Sequence, residues 1–139
     1  MIAQLTIMNQ TSIPVIAKGL DASTLRGRSI ADNLANITTP GYQRIEVNFE
    51  EQLKKALSDE QVAGFRSDPE HIRSGRPEVE MVKAIAYRAE DPTQYSEVNN
   101  VDVDAEASKL AENEIMYNFE VRFMRERLES ITTAGKANF

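Results

Sequence analysis

The chain has 139 residues, of which Ala, Val, Ile, Leu, Met, Phe and Tyr make up 41% and Trp and Cys are absent. With Gly counted in place of Tyr the apolar share is about 42%, below the roughly 45–50% of an ordinary globular domain, so a single private core would be thin. No cysteine excludes disulfides, thiolate zinc sites and cysteine nucleophiles, one histidine excludes a His pair, and a net charge of −6 disfavours general nucleic-acid binding.

The charge is uneven. Residues 1–42 carry three basic and two acidic groups, 43–103 eight and thirteen, and 104–139 five and seven. The nearly neutral first part holds the first clear period. Ile16, Leu20, Ser23, Gly27, Ile30, Leu34 and Ile37 step by four and three, which predicts a heptad-like seam on a helix over about 13–37. Pro14 suits its first turn. Ser23 and Gly27 are small enough to let a second helix approach. Thr39 before Pro40 ends the helix, and Pro40-Gly41 suits a type II turn. Asn33, Asn36, Thr38 and Thr39 have short polar side chains that can bond helix carbonyls or turn amides. Nothing from Met1 to Gln10 looks like a cleaved secretory signal, and no run is apolar enough to cross a membrane.

The middle reads differently. Ile45, Val47 and Phe49 alternate with polar residues, as in a short strand or extended arm. Phe49, Leu53, Ala56 and Leu57 fit a short helix. Gly64, Pro69, Gly75 and Pro77 break the pattern over 58–77. Val79, Met81, Ala84, Ile85 and Tyr87 suit one or two strands, and 90–100 reads as a loop.

A second long helix is expected over about 104–132. Asp102 and Asp104 are N-cap candidates, Glu106 suits the positive end of the helix dipole, and Gly135 is a natural stop. Its apolar stripe runs through Ala107, Leu110, Tyr117, Val121, Met124, Leu128 and Ile131. Ile115, Phe119 and Phe123 are expected to form a second stripe beside it, giving one wide apolar face. Arg122, Arg125 and Arg127 lie toward the C-terminal end.

The expected architecture is mainly α. Two long terminal helices form an antiparallel, coiled-coil-like hairpin, with a small irregular or β-containing middle. The chain divides into 1–42, 43–103 and 104–139, the first and last forming one layer. Chemistry is sparse. His71 lies in a polar loop with no nucleophile specified nearby. Glu50/Glu51 and Asp102/Asp104 lack a calcium-loop pattern, and capping explains the latter pair better. No phosphate-binding glycine loop or nucleophile elbow occurs. No catalytic, metal or cofactor site is expected.

The run from Ala31 through Asn33, Leu34, Ala35, Asn36, Thr39, Pro40 and Gly41 to Tyr42 resembles the signature of bacterial flagellar rod and hook axial proteins, roughly A-x-N-[LI]-A-N-x-x-T-P-G-[YF]. The run Asn99-Asn100-Val101-Asp102-Val103-Asp104-Ala105-Glu106, with Leu110-Ala111-Glu112-Asn113 and Tyr117, is most similar to the proximal rod subunit in that family. The resemblance implies a non-enzymatic structural subunit, exported by the flagellar type III apparatus without a cleaved signal. Such subunits assemble helically across the periplasm into a torque-transmitting shaft, with the terminal helices as its inner layer. It implies as partners copies of the chain, other rod proteins, the basal-body protein joining ring and rod, and the export gate, with no nucleic acid, small-molecule substrate or cofactor. Expected subunit-interface residues are Ile16, Leu20, Gly27, Ile30, Asn33, Leu34, Asn36, Ile37, Pro40, Gly41, Tyr42, Leu110, Tyr117, Val121, Met124, Leu128 and Ile131. The alternative is a cytoplasmic helical adaptor that binds one partner in a groove between its helices.

Overall fold

The computed structural model describes residues 12–58, 79, 81–89 and 99–136. His71 and the breaker-rich 59–78 stretch lie outside the described residues, as does most of the expected 90–100 loop. Among the described residues five elements follow in chain order: α1 (Ile13–Ala35), β1 (Ile45–Asn48), α2 (Glu50–Ser58), β2 (Ile85–Arg88) and α3 (Val103–Lys136). At 1.5 Å per residue the two terminal helices are about 34 and 51 Å long.

Helix α1 starts where Pro14 occupies its first turn, as expected, but its N-cap Ser12 makes no side-chain cap bond. It ends at Ala35, two residues before the expected end, so Ile37 leaves the seam and joins a turn. The shortening has a cause 60 residues away. Asn99 Nδ2 donates to the carbonyls of Asn36 (3.2 Å), Ile37 and Thr39 (3.4 Å) and holds the chain out of the helix there. Thr39 N–H bonds Asn36 O and Tyr42 N–H bonds Thr39 O, giving two successive turns. Gly41 has φ +72° as the third residue of the second turn, after Pro40, which is the type II arrangement the dipeptide predicted.

Strands β1 and β2 form an antiparallel ribbon with Ile45 opposite Arg88 and Asn48 opposite Ile85. Among the described residues of the expected strand region, Ile85–Arg88 alone are in a strand. Val79 and Val82 instead bury their side chains. Ala22 of α1, Phe49 and Val82 form a small buried cluster, joined by Leu53 and Ala56 of α2 and by Ala84. This cluster joins α1 to α2 and to the segment before β2.

Helix α3 is capped as expected. Asp102 Oδ1 accepts from the N–H groups of Asp104 (3.0 Å) and Ala105 (3.2 Å), while Asp104 sits in the first turn with Glu106. The helix continues past the expected stop, and Gly135 lies inside its last turn. Arg122, Arg125 and Arg127 are consequently two or more turns from the end, and Lys136 is the basic residue of the last turn. Arg127 sits 4.9 Å over the ring of Phe123, which stacks on Phe119 at 6.2 Å.

The two long helices pack antiparallel. Asn33 meets Glu106, Ser23 and Gly27 meet Asn113, and Gly19 and Ser23 meet Glu120. The small residues of α1 do admit the second helix, but polar side chains fill the space. The only residues of α3 that are buried are Glu106 and Asn113.

Candidate functional site

Asn33, fully buried at 0% exposure, organises the junction of α1, β1 and α3. Its Nδ2 donates to Ile45 O (2.9 Å) and Glu106 Oε2 (2.8 Å). Its Oδ1 accepts from Ile45 N–H (2.8 Å) and Tyr42 Oη–H (3.1 Å). Both donors and both acceptor positions of the amide are thereby used. The side chain stands in for a neighbouring strand at Ile45 and joins the Pro-Gly turn to the last helix. Burial, reinforced by the Asp32 carboxylate, raises the Tyr42 phenol above its ordinary value.

Glu106, 1% exposed, would be costly alone. Lys109 Nζ lies 3.1 Å from its Oε1, and Arg44 Nη1 lies 3.8 Å from the same oxygen. Arg44 Nη2 also meets Glu46 Oε1 at 2.8 Å, and Lys109 reaches Glu46 at 3.6 Å. Two carboxylates and two cations thus share one site. Asn100 Oδ1 accepts from Arg44 N–H, its Nδ2 donates to Ala89 O, and Ala89 N–H bonds Arg44 O. The Asn99-Asn100 pair therefore secures both the turn after α1 and the base of the ribbon. Tyr87 Oη–H donates to Glu46 across the ribbon, and that bond raises the Tyr87 phenol.

Farther along the helix pair, Asn113 Nδ2 donates to Ser23 O (3.0 Å) and Ser23 Oγ–H donates to Glu120 Oε2 (2.8 Å). A Cβ on Gly27 would sit 3.3 Å from Asn113 Nδ2, and one on Gly19 only 2.6 Å from Glu120 Oε1. Glu106, Asn113 and Glu120 are seven residues apart, so they share a face of α3. Sequence reasoning tracked apolar period and missed them, although the seven-residue spacing was present. Their partners on α1 could not be read locally.

The expected interface residues separate into three groups. Ile16, Ile30 and Asn33 are buried inside the chain. Leu20, Gly27, Leu34, Asn36, Ile37, Tyr42, Leu110, Val121, Met124 and Ile131 are half-buried. Pro40, Gly41, Tyr117 and Leu128 are exposed. Val121, Met124 and Leu128 line one shallow groove. The second apolar stripe is not beside the first. At 3.6 residues per turn, Ile115 and Phe119 lie about 120–160° around the helix from Asn113. They face away from α1 and are 72% and 62% exposed, with Met116 at 51% between the two faces. Helix α3 thus carries apolar residues on two sides, not on one wide face. A cleft of about 320 Å³ between α1, β1 and α3 joins apolar walls, Ile30, Ile45, Val47 and Met116, to the charged groups Arg26, Glu46, Lys109 and Glu112.

Among the described residues no three His, Cys, Asp or Glu side chains converge to hold a metal ion, and no helix is long and apolar enough to cross a membrane. The arrangement is that of an interaction surface: a polar junction fixes the helix pair, and large apolar side chains stand outward from it.

No protein-family profile matches the chain. Curated relatives do. A flagellar basal body rod protein FlgB of Borreliella burgdorferi is 30% identical over 135 residues, covering 91% of this chain and 97% of that protein. FlgB of Bacillus subtilis is 29% identical over 129 residues, covering 90% and 95%. FlgB of Salmonella typhimurium is 27% identical over 122 residues, covering 82% and 85%. The first of these matches spans nearly the whole length of both partners, and the chain belongs to the FlgB family of flagellar basal-body rod proteins.

Proposed function

We propose that the chain is a non-enzymatic subunit of the proximal rod, exported by the flagellar type III apparatus and assembled helically into the torque-transmitting drive shaft. Segments 1–42 and 104–139 form its inner layer, and 43–103 supplies an extended arm, a short helix and a small irregular or β-containing segment. The observation that carries this reading is the burial pattern of α3. A 34-residue helix buries only a glutamate and an asparagine within its own chain, while Ile115, Met116 and Phe119 stay open. Fully burying a large apolar side chain contributes roughly 1.5–3 kcal/mol, so covering what these three leave exposed is worth about 3–5 kcal/mol per copy. Neighbouring helices supply that cover. A contact between two different patches repeats without closing, which builds a filament.

The partners that fit are copies of the chain, other rod proteins, the basal-body protein joining ring and rod, and the export gate. Leu20, Leu34, Pro40, Tyr42, Leu110, Tyr117, Val121, Met124, Leu128 and Ile131 retain surface for such contacts, whereas Asn33 acts inside the chain to set the turn that presents them.

The test is complementation of a strain lacking the protein. Phe119→Asp should keep the purified chain folded, at a cost of no more than about 1 kcal/mol in urea unfolding for the lost stack on Phe123 and the lower helix propensity, while abolishing swimming and complete basal bodies. Normal motility with that substitution would refute the reading.

A further inference from the structure

The helix pair holds its two carboxylates in opposite ways. At one end Glu106 is bonded by Asn33 and Lys109 and faced by Arg44. At the other, Glu120 is half-buried against Gly19, so close that its Oε1 would stand 2.6 Å from a Cβ there, and among the described residues Ser23 Oγ–H is its one hydrogen-bond donor. The charged groups acting on it from the packed elements are Arg26 of α1 and Glu50 of α2. Arg26 pairs instead with Glu50, its Nη2 lying 2.5 Å from Glu50 Oε1. Burial alone would raise Glu50, but the Arg26 hydrogen bond and the local backbone bonds leave it below its usual range. Arg26 is thus committed to Glu50.

We propose that Glu120 is a proton-operated clasp: the α1–α3 pair closes on the neutral carboxyl and loosens when the carboxyl ionises. The protonated group sits over Gly19 without a buried charge and keeps a hydrogen bond with Ser23. The ionised group must either stay partly desolvated with a single hydroxyl donor or withdraw to water, and withdrawal unmakes the contact at Gly19 and Ser23. Burial pushes the Glu120 carboxyl up, Ser23 and Arg26 oppose the rise, and Glu50 adds to it. A group raised in the closed form binds its proton more tightly there. The stabilisation is therefore complete below the ordinary glutamate value and is lost as pH rises through the raised one. The Asn33–Glu106 end holds the register throughout, so the device opens the Gly19–Ser23 end only. It belongs to the single chain, and its test needs no assembled rod.

The experiment is urea unfolding of the full chain from pH 4 to 8, compared with Glu120→Gln, a neutral mimic that keeps the acceptor for Ser23. The wild-type folding constant should fall relative to Glu120→Gln as pH rises, by no more than tenfold per pH unit because one proton is involved. Glu50→Gln frees Arg26 to pair with Glu120, so the same ratio, taken against the Glu50→Gln/Glu120→Gln double variant, should fall less and at lower pH. A constant ratio between wild type and Glu120→Gln, or a ratio that moves the other way, would overturn the proposal. So would a Glu50→Gln profile that coincides with wild type.

Discussion

Replacing Asn33 probes the junction most sharply, because every polar valence of its amide is used. Asn33→Ala removes four hydrogen bonds and leaves Ile45 N–H, Ile45 O and part of the Glu106 carboxylate without the partner that a fully buried side chain supplied. A buried polar group left without a partner costs about 1–3 kcal/mol, and two stranded backbone groups bring the loss to about 2–6 kcal/mol. Total stability for a small domain is about 5–15 kcal/mol, so the loss is a large share. Asn33→Asp keeps the volume but places an oxygen where Nδ2 now donates, 2.9 Å from Ile45 O and 2.8 Å from Glu106 Oε2. Two acceptor-to-acceptor contacts and a second buried carboxylate replace two hydrogen bonds. The aspartate should therefore be more damaging than the alanine at neutral pH, and less so in acid, where its proton restores one donor. Urea unfolding followed by circular dichroism gives both values. An aspartate variant within about 0.5 kcal/mol of wild type, the scatter of ordinary surface changes, would refute the role assigned to the amide.

Other substitutions test single contacts. Gly41→Val forces a β-branched residue to φ +72° with open space around it, so the cost is backbone strain alone, about 1–3 kcal/mol, with Gly41→Asn milder; thermal unfolding measures it, and impaired swimming should accompany the valine. Asp102→Ala removes the acceptor for two N–H groups at the start of α3 and should cost about 0.5–2 kcal/mol in the same assay. Gly19→Ala should not gain the roughly 1 kcal/mol of helix propensity expected of it, because its Cβ displaces Glu120; in combination with Glu120→Ala the gain should return, a coupling that a double-mutant cycle reads directly. Removing Glu50 in a chain that already lacks Glu120 should change stability by no more than about 1 kcal/mol, since the Glu50 side chain is 68% exposed where it meets Arg26.

Features with a local cause were legible in the sequence. Pro14, the Pro40-Gly41 pair and Asp102 act on their own neighbours, and the turn and cap appear where those residues place them. The four-and-three spacing of α1 located its helix, and alternation found β1. What was not legible depends on groups far apart in the chain. Asn99 shortens α1 from 60 residues downstream, and the Asn33 amide completes an edge of β1; neither leaves a period or a composition shift. The contact face of α3 was displaced for a related reason. Apolar spacing points to a different seam, but Gly19, Ser23 and Gly27 leave room that Glu120 and Asn113 fill, so small residues opposite polar ones define the pairing. Helical geometry puts the stripe of Ile115 and Phe119 on the far side of α3 from the first stripe, which makes two surfaces of the one broad face expected.

That second surface carries the central claim, and the absence of native cysteine makes it easy to probe. A single Ile115→Cys substitution in a swimming strain can be labelled with a maleimide, once on the isolated chain and once in purified basal bodies. Residue 115 is 72% exposed in the single chain, so the isolated protein should react freely. Neighbouring helices covering the outer face of α3 predict labelling at least about tenfold slower in the basal body, the protection that about 1.4 kcal/mol of closure provides. Equal reactivity in the two states would contradict the account.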